Sequence, residues 1–333
     1  MFVNKGKLIQ SPSAVRPHVV LLGAGASLDA FPEGDASGNR LPLMDNLVDV
    51  VGLGPLIETA AAELDDEKGF EEMYSKLAGI STYGDLVKEI ERRIDVYFSS
   101  LRIPKETTKY DYLLLSLREK DAIFTFNWDP FLFDSYKRNA HIASLPQIFF
   151  LHGNVRIGIC PNHPETWGRR RGICSKCSNR FEDVPLLYPI GKKDYSSHEY
   201  IRGSWEAARY FFAEAFVLTI FGYGAPVSDA DAVDLLKLAW TRRSDRKIEH
   251  VEVVDVVTSS VLNERWKEFT PTGHLKPIRR IWDSWIMMHP RRSVEGLRQP
   301  VIFGEPAETF PLVQSERLDR VHEQILDIAA WES

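Results

Sequence analysis

Cysteine is scarce in this chain: there are three among 333 residues. An odd and small number makes a poor disulfide framework. Long apolar runs are missing too. None approaches the roughly 20 residues that span a bilayer, and the opening segment, MFVNKGKLIQSPSAVRP, lacks the apolar centre of a signal peptide. Positive charge is not in excess, since the formal net charge is −6. No basic field therefore invites nucleic acid, and the run Arg169-Arg170-Arg171 reads as a solvated loop. There is no internal repeat and no low-complexity tract. These absences predict a cytoplasmic protein with neither a membrane nor a direct nucleic-acid partner.

What is present is globular material, with 44% apolar and 26% charged residues. At about 150 residues per domain, the length allows one large domain or two smaller ones. Short apolar runs read as buried strands at His18–Leu22, Ala122–Thr125, Gln147–Leu151, Phe216–Phe221 and Val251–Val257. Helical spacing separates them, notably over Trp205–Ala215 and Ala230–Trp240. Strands alternating with helices predict an α/β fold built on an open, mostly parallel, Rossmann-like sheet. The whole of 1–333 is read as a single domain with three additions. Residues 43–120 form a helical insertion, where Leu86, Ile90, Ile94, Tyr97 and Leu101 recur at helical spacing. Residues 154–200 lose the pattern in favour of cysteine, glycine and proline. Residues 312–331 form an amphipathic C-terminal helix carrying Leu318, Val321, Ile325 and Ile328. That last apolar stripe needs cover, from its own domain or from a second copy in a homo-oligomer.

The first strand runs into Gly23-Ala24-Gly25-Ala26-Ser27. A strand ending in Gly-x-Gly presents backbone N–H groups at a helix start, which suits a phosphate. The dehydrogenase form of this turn needs a third glycine at position 28, where this chain has Leu28. Other strand ends also carry polar groups: Asn127 and Asp129 after the second, His152 and Gly153 after the third, and Gly222 and Tyr223 after the fourth. Ligands of open α/β sheets collect at such carboxyl ends. Taken singly, Asn127 reads as a helix cap and His152 as a hydrogen-bonded core residue. Their occurrence together is what points to a site.

Cys160-x-x-His163 and Cys174-x-x-Cys177 are two ligand pairs separated by a short loop. Zinc takes four tetrahedral sulfur or nitrogen ligands, and a two-residue gap lets one turn supply two of them. The spacing favours His163 as the fourth ligand, with His198 as the alternative. Four closed ligands leave no open position, so the metal is expected to be structural.

The order Gly-Ala-Gly-x-Ser, Thr-x-Asn-x-Asp (Thr125 to Asp129), His152-Gly153 and then a zinc module resembles the sirtuin superfamily, from about Val19 to Val257. The chain is similar in particular to bacterial sirtuin-like proteins of antiviral defence. These share the Thr-Phe-Asn-aromatic-Asp and Leu-His-Gly forms, and a Gly-Tyr-x-x-Pro segment followed by acidic residues. Here that segment is Gly222 to Pro226, with Asp229 and Asp231 beyond it.

The resemblance implies NAD as substrate. It implies that Gly23, Ala24, Gly25 and Ser27 hold the diphosphate, that Asn127 contacts the nicotinamide ribose and a water, and that Asp129 reads the nicotinamide amide. His152 would be the general base. Gly222 and Tyr223 replace a later Gly-Ser/Thr contact, and Asp255 binds the adenosine ribose. The Phe-Arg pair that follows the first loop of deacylating sirtuins is missing, and Pro185-Leu186-Leu187-Tyr188-Pro189 stands where their Phe-Gly-Glu peptide segment would be. The expected activity is accordingly NAD glycohydrolysis to nicotinamide and ADP-ribose, in antiphage defence by NAD depletion. The alternatives are a protein deacylase and a non-catalytic sensor of NAD or ADP-ribose. A partner ATPase or an Argonaute-type effector belongs to the same expectation.

Overall fold

The structure is a computed structural model describing residues 2–11, 14–64, 69–190, 193–242, 249–269 and 275–332. Among them the strands are, in chain order, β1 (His18–Leu22), β2 (Ala122–Thr125), β3 (Gln147–Phe150), β4 (Ile157–Cys160), β5 (His163–Arg169), β6 (Glu182–Asp183), β7 (Val217–Phe221), β8 (His250–Val254) and β9 (Leu275–Ile278). Six of these form one sheet in the order β3-β2-β1-β7-β8-β9, and every neighbouring pair is parallel. The predicted α/β class with a parallel sheet is the architecture found.

β1, β2 and β7 are buried at every residue. A strand covered on both faces needs apolar side chains in succession, not in alternation, and His-Val-Val-Leu-Leu and Ala-Ile-Phe-Thr supply them. The cover is aromatic in places: Phe211 and Phe212 of the helix Glu199–Glu214 pack on Phe124 of β2. Phe124 is fully buried, so its truncation to alanine would cost about 3–5 kcal/mol.

The chain first builds outwards on one side, β1 to β2 to β3. It then crosses back to lay β7, β8 and β9 on the other side of β1. The direction in which strands are added therefore reverses between β1 and β7, and such a switch point is where an open α/β sheet leaves a crevice.

Three features differ from the sequence reading. The antiparallel sheet β5-β4-β6 lies within 154–200, where no strand was expected. β8 stops at Val254, because the Asp255 carboxylate accepts a hydrogen bond from Val257 N (3.2 Å) and turns the chain. β9 was not expected. Its Pro277 removes a ladder donor, which only an edge strand tolerates, and β9 is the edge.

In the insertion, the helix Gly84–Ser100 buries Ile90, Ile94 and Phe98. The helix Leu318–Ala329 buries Val321, Ile325 and Ile328 against its own chain. Three of the four residues of that apolar stripe are thus covered without a second copy, and Leu318 is half-buried. No helix among the described residues is long and apolar enough to cross a membrane.

Candidate functional site

The strands flanking the switch point end level with one another: Leu22 stands opposite both Thr125 and Phe221, and Thr125 opposite Phe150. The loops that follow rim a cavity of about 360 Å³. Gly23, Ala24, Gly25, Ser27, Asn127, Asp129, His152, Gly222 and Tyr223 all line it. Leu43, Leu47, Glu71 and Phe98 close it from the insertion side. Asp255 is not among the lining residues; it lies past β8, engaged with Val257.

The two glycine turns are built against each other. Gly222 has φ +61°, and a Cβ there would lie 2.1 Å from Ala26 N. A Cβ at Gly23 or Gly25 would in turn meet the Gly222 carbonyl oxygen, at 2.5 and 2.9 Å. Gly25 N donates to Gly222 O (2.9 Å), Gly23 N to Phe221 O (3.0 Å) and Ala26 N to Gly23 O (3.0 Å). The first glycines are therefore required by contact with the β7 loop, a demand the sequence does not disclose. It also occupies amides that the phosphate reading had set aside for an anion. Among the described residues Ala24 N of this first turn has no such partner.

Asn127 is held firmly. Its Nδ2 donates to Gly23 O (2.9 Å) and to Ser27 Oγ (2.9 Å), while its backbone N donates to Thr125 Oγ1 (3.0 Å). Ser27 Oγ donates to Asp129 Oδ2 (2.6 Å) and shares a hydrogen bond with Tyr110 OH (2.7 Å). Asp129 Oδ1 accepts from Phe131 N (3.1 Å). Burial pushes the Asp129 carboxyl up to about 6, against the pull of Ser27. Asn154 Nδ2 binds the Asp129 carbonyl (2.6 Å) and fixes the loop. Ser27 and Asp129 thus support Asn127 from beneath. Tyr110, at the start of the helix Lys109–Leu115, is a member of this network that sequence reasoning missed. With its nitrogen committed, Asn127 keeps Oδ1 as a free acceptor.

His152 follows β3. Its ring lies edge-on to Phe126, with centroids 4.6 Å apart, and parallel to Tyr195 at 6.1 Å. Nε2 is buried and has no hydrogen-bond partner. Burial pushes the imidazole down to about 4; Asp229 acts against that and Lys193 with it. Gly153 beside it has φ +75°, and a Cβ there would stand 2.1 Å from Pro185 O. Leu187 N donates to His152 O (2.9 Å), so the segment after the metal module braces the histidine. Leu187 and Pro189 of that segment line the cavity as well.

The metal-ligand pairs converge at one side. Cys160 Sγ lies 3.4 Å from Cys177 Sγ and 3.7 Å from His163 Nδ1, and Cys174 Sγ lies 3.8 Å from that nitrogen. All four ligand atoms fall within 4.8 Å of one another. Tetrahedral zinc, with bonds of about 2.0–2.3 Å, needs such edges, and 3.4 Å is far beyond the roughly 2.05 Å of a disulfide. The donor set fits a structural zinc ion. His198, the alternative ligand, instead caps the helix Glu199–Glu214, its Nδ1 accepting from Tyr200 N (3.2 Å). The short antiparallel sheet β5-β4-β6 frames these ligands.

No family model and no curated protein matches the chain. Solved structures of Sir2 proteins are similar over most of its length. A Sir2 homologue in complex with NAD is 13% identical, covers 90% of this chain and 94% of its own, and has a TM-score of 0.35. A Sir2 bound to an inhibitor, 2′-O-acetyl-ADP-ribose and a deacetylated peptide is 14% identical, with coverages of 87% and 94% and a TM-score of 0.37. A structure described as the basis for the mechanism and regulation of Sir2 enzymes is 12% identical, with coverages of 97% and 96% and a TM-score of 0.39.

Proposed function

We propose that this chain is a sirtuin-like enzyme that hydrolyses NAD to nicotinamide and ADP-ribose. One observation carries the proposal: a rigidly held Asn127 and an unpartnered, buried His152 line one cavity at the switch point of a parallel sheet, beside a Gly-x-Gly turn. Its biological setting would be antiphage defence by NAD depletion.

In this chemistry the bond between the anomeric carbon and the pyridinium nitrogen breaks, and its electron pair returns to the ring. Nicotinamide leaves neutral, so no general acid is required. Water supplies hydroxide to the anomeric carbon and its other proton goes to His152. A histidine kept neutral by burial is in the basic form at physiological pH. Asn127 Oδ1 accepts from the water or a ribose hydroxyl and orients it. The Ala24 amide and the helix start offer the diphosphate a positive end. Tyr223 and Asp129 line the same cavity.

The deacylase alternative has less behind it, because its Phe-Gly-Glu segment is missing from the place just after the metal module. Leu187 of the segment Pro185–Pro189 donates to His152 O and lines the cavity with Pro189, and the resemblance would put an acyl-lysine peptide beside this segment. The deciding experiment incubates the purified chain with NAD, alone and with an acetyl-lysine peptide, and identifies the products. Nicotinamide and ADP-ribose formed without peptide are the expected result. Turnover that requires the peptide makes the chain a deacylase, and binding without turnover makes it a sensor.

A further inference from the structure

Two side chains that the proposed chemistry does not use, Asp229 and Lys193, stand behind His152, joined there by Tyr223. Asp229, at the end of the short turn Val227–Asp229, places Oδ1 3.9 Å from His152 Nε2. This is too long for a hydrogen bond and well within range of a Coulomb interaction. The same oxygen accepts from Lys193 Nζ at 2.6 Å, and Oδ2 accepts from Tyr223 OH at 3.0 Å. Lys193 also donates to Ser228 O (2.7 Å). The Lys193 and Asp229 side chains are 3% and 8% exposed, so this ion pair is screened very little.

We propose that Asp229 and Lys193 form a buried charge balance that sets the protonation of His152. Asp229 is a positioning residue whose carboxylate receives the imidazolium formed in turnover. Lys193 is the counterweight that keeps the resting ring neutral. The inference rests on His152 being the base of the proposed hydrolysis.

The argument is electrostatic. A carboxylate beside a buried imidazole favours the imidazolium, and left alone it would hold the ring charged at rest. A charged ring cannot accept a proton. Lys193, bound to the oxygen nearer the ring, spends most of that attraction. The residue of it becomes useful when His152 takes a proton, because charge spread over the ring then faces a fixed carboxylate in a nearly dry site. Tyr223 OH on the second oxygen stops Asp229 from rotating towards the ring. The other titratable groups around this cluster are Tyr195, stacked on the imidazole, and Glu71, which reaches Ser228 from the insertion. Asp231 acts on Tyr195 from further along the chain. Burial raises both Tyr195 and Glu71, so at neutral pH the tyrosine carries no charge. That leaves Asp229 as the carboxylate in direct reach of the ring.

The pair also explains the sequence. Lys193 and Asp229 lie on different loops, one after the metal module and one after β7. Lys193 belongs to no motif of the sequence, and Asp229 enters only as an acid beyond Gly222 to Pro226. What joins them is the fold, which brings both loops to the rim of the same cavity.

The test titrates the His152 ring by NMR in full-length protein labelled at histidine, with no NAD present. The signal is assigned by its loss in His152→Ala. Lys193→Met should raise the apparent pKa of His152 by about one unit or more. Asp229→Asn should lower it, but it strands Lys193 without a partner and can fail to fold. The double variant Lys193→Met/Asp229→Asn removes both charges and should return the titration close to wild type. The acidic limb of the kcat/KM profile should move in the same directions, and Asp229→Asn should lower kcat more than it changes KM. If Lys193→Met leaves the His152 titration in place, or the double variant adds the two single defects instead of cancelling them, the inference is overturned. Because the titration needs no turnover, it separates this failure from that of the hydrolase proposal. A wild type that never consumes NAD sinks the latter while the ring titration still reports on the charge balance.

Discussion

Two buried histidines stand at opposite ends of the same sheet, and they differ in one respect. His18 opens β1 at the amino end, and His152 follows β3 at the carboxyl end. Burial pushes both imidazoles down, to about 3 and about 4. His18 has a partner on each nitrogen, Ser293 Oγ at 2.8 Å and Thr219 Oγ1 at 2.7 Å. His152 Nε2 has none. An orphaned buried polar atom costs about 1–3 kcal/mol, so its persistence calls for a reason other than stability. Burial and a shifted pKa therefore do not mark a functional histidine. The hydrolase proposal takes as its mark the missing partner beside a cavity.

The largest expected effect breaks the comparison at the carboxyl end. His152→Ala should fold normally and lose about 10²–10⁴-fold in nicotinamide release, the usual loss for a general base. An unchanged rate would show that the missing partner means nothing. The metal should come next. Cys174→Ser or strong chelation should remove about one equivalent of zinc by elemental analysis and destabilise the module. The carboxyl end should loosen with it, since Val184 N binds Ile157 O (3.2 Å) and Leu187 N binds His152 O (2.9 Å) in the same segment. Hydrogen exchange should then rise around 152–153 and stay low around 18–22.

Gly222→Ala should cost roughly 2–4 kcal/mol in urea unfolding, because the methyl group meets backbone at a left-handed residue. Wild-type stability in this variant would show that the two glycine turns can separate. His18→Ala should keep full turnover and lose about 2–3 kcal/mol, from two hydrogen bonds and the hydroxyls left behind. A loss of turnover instead would erase the difference between the two ends.

The smallest effect depends on pH. Glu252, fully buried in β8, binds Trp285 N (3.0 Å) and is pushed up from 4.5 to about 7 by burial. Its folded state holds a proton that the unfolded state releases. Its contribution is therefore fully present below about pH 4.5 and lost as pH rises through about 7. His18 has the opposite sign: stability falls as pH drops below 6.5, where the unfolded ring takes a proton, and levels off near 3. Glu252→Gln should flatten the loss between pH 4.5 and 7 in a stability–pH series. A slope equal to wild type would mean the carboxyl is charged in the fold.

Much of the sheet was legible because buried parallel strands are written as continuous apolar runs. β1 and β2 fall where Val19 to Leu22 and Ala122 to Thr125 place them. β9 was not legible, since Leu-Lys-Pro-Ile carries a charge and a proline in four residues. Gly23, Asn127 and His152 could be picked out as strand-end groups, and the fourth metal ligand was a choice between two histidines that geometry decides for His163. The supports of the site were not legible. Tyr110 lies inside an apolar helical run, and Lys193 is one of two adjacent lysines in a loop. Asp229 was visible only as an acid beyond Gly-Tyr. An acidic residue in the middle of a buried strand, Glu252 between Val251 and Val253, is a signal that lies in plain view in the sequence.

The placing of β1 at the middle of the sheet has a consequence in time. Leu22 and Phe221 pair side by side yet are 199 positions apart in the chain. At a synthesis rate of about 5–20 residues per second, β1 leaves the ribosome on the order of 10–40 s before its β7 neighbour exists. Its other neighbour, β2, is itself about a hundred residues away. Until β2 is made, Val-Val-Leu-Leu is an unpaired apolar strand with both edges open, and until β7 is made one edge stays open; such a segment pairs with the wrong chain. The central strand is thus made early and completed late, and a nascent chain arrested before residue 217 should need a holding chaperone to remain soluble.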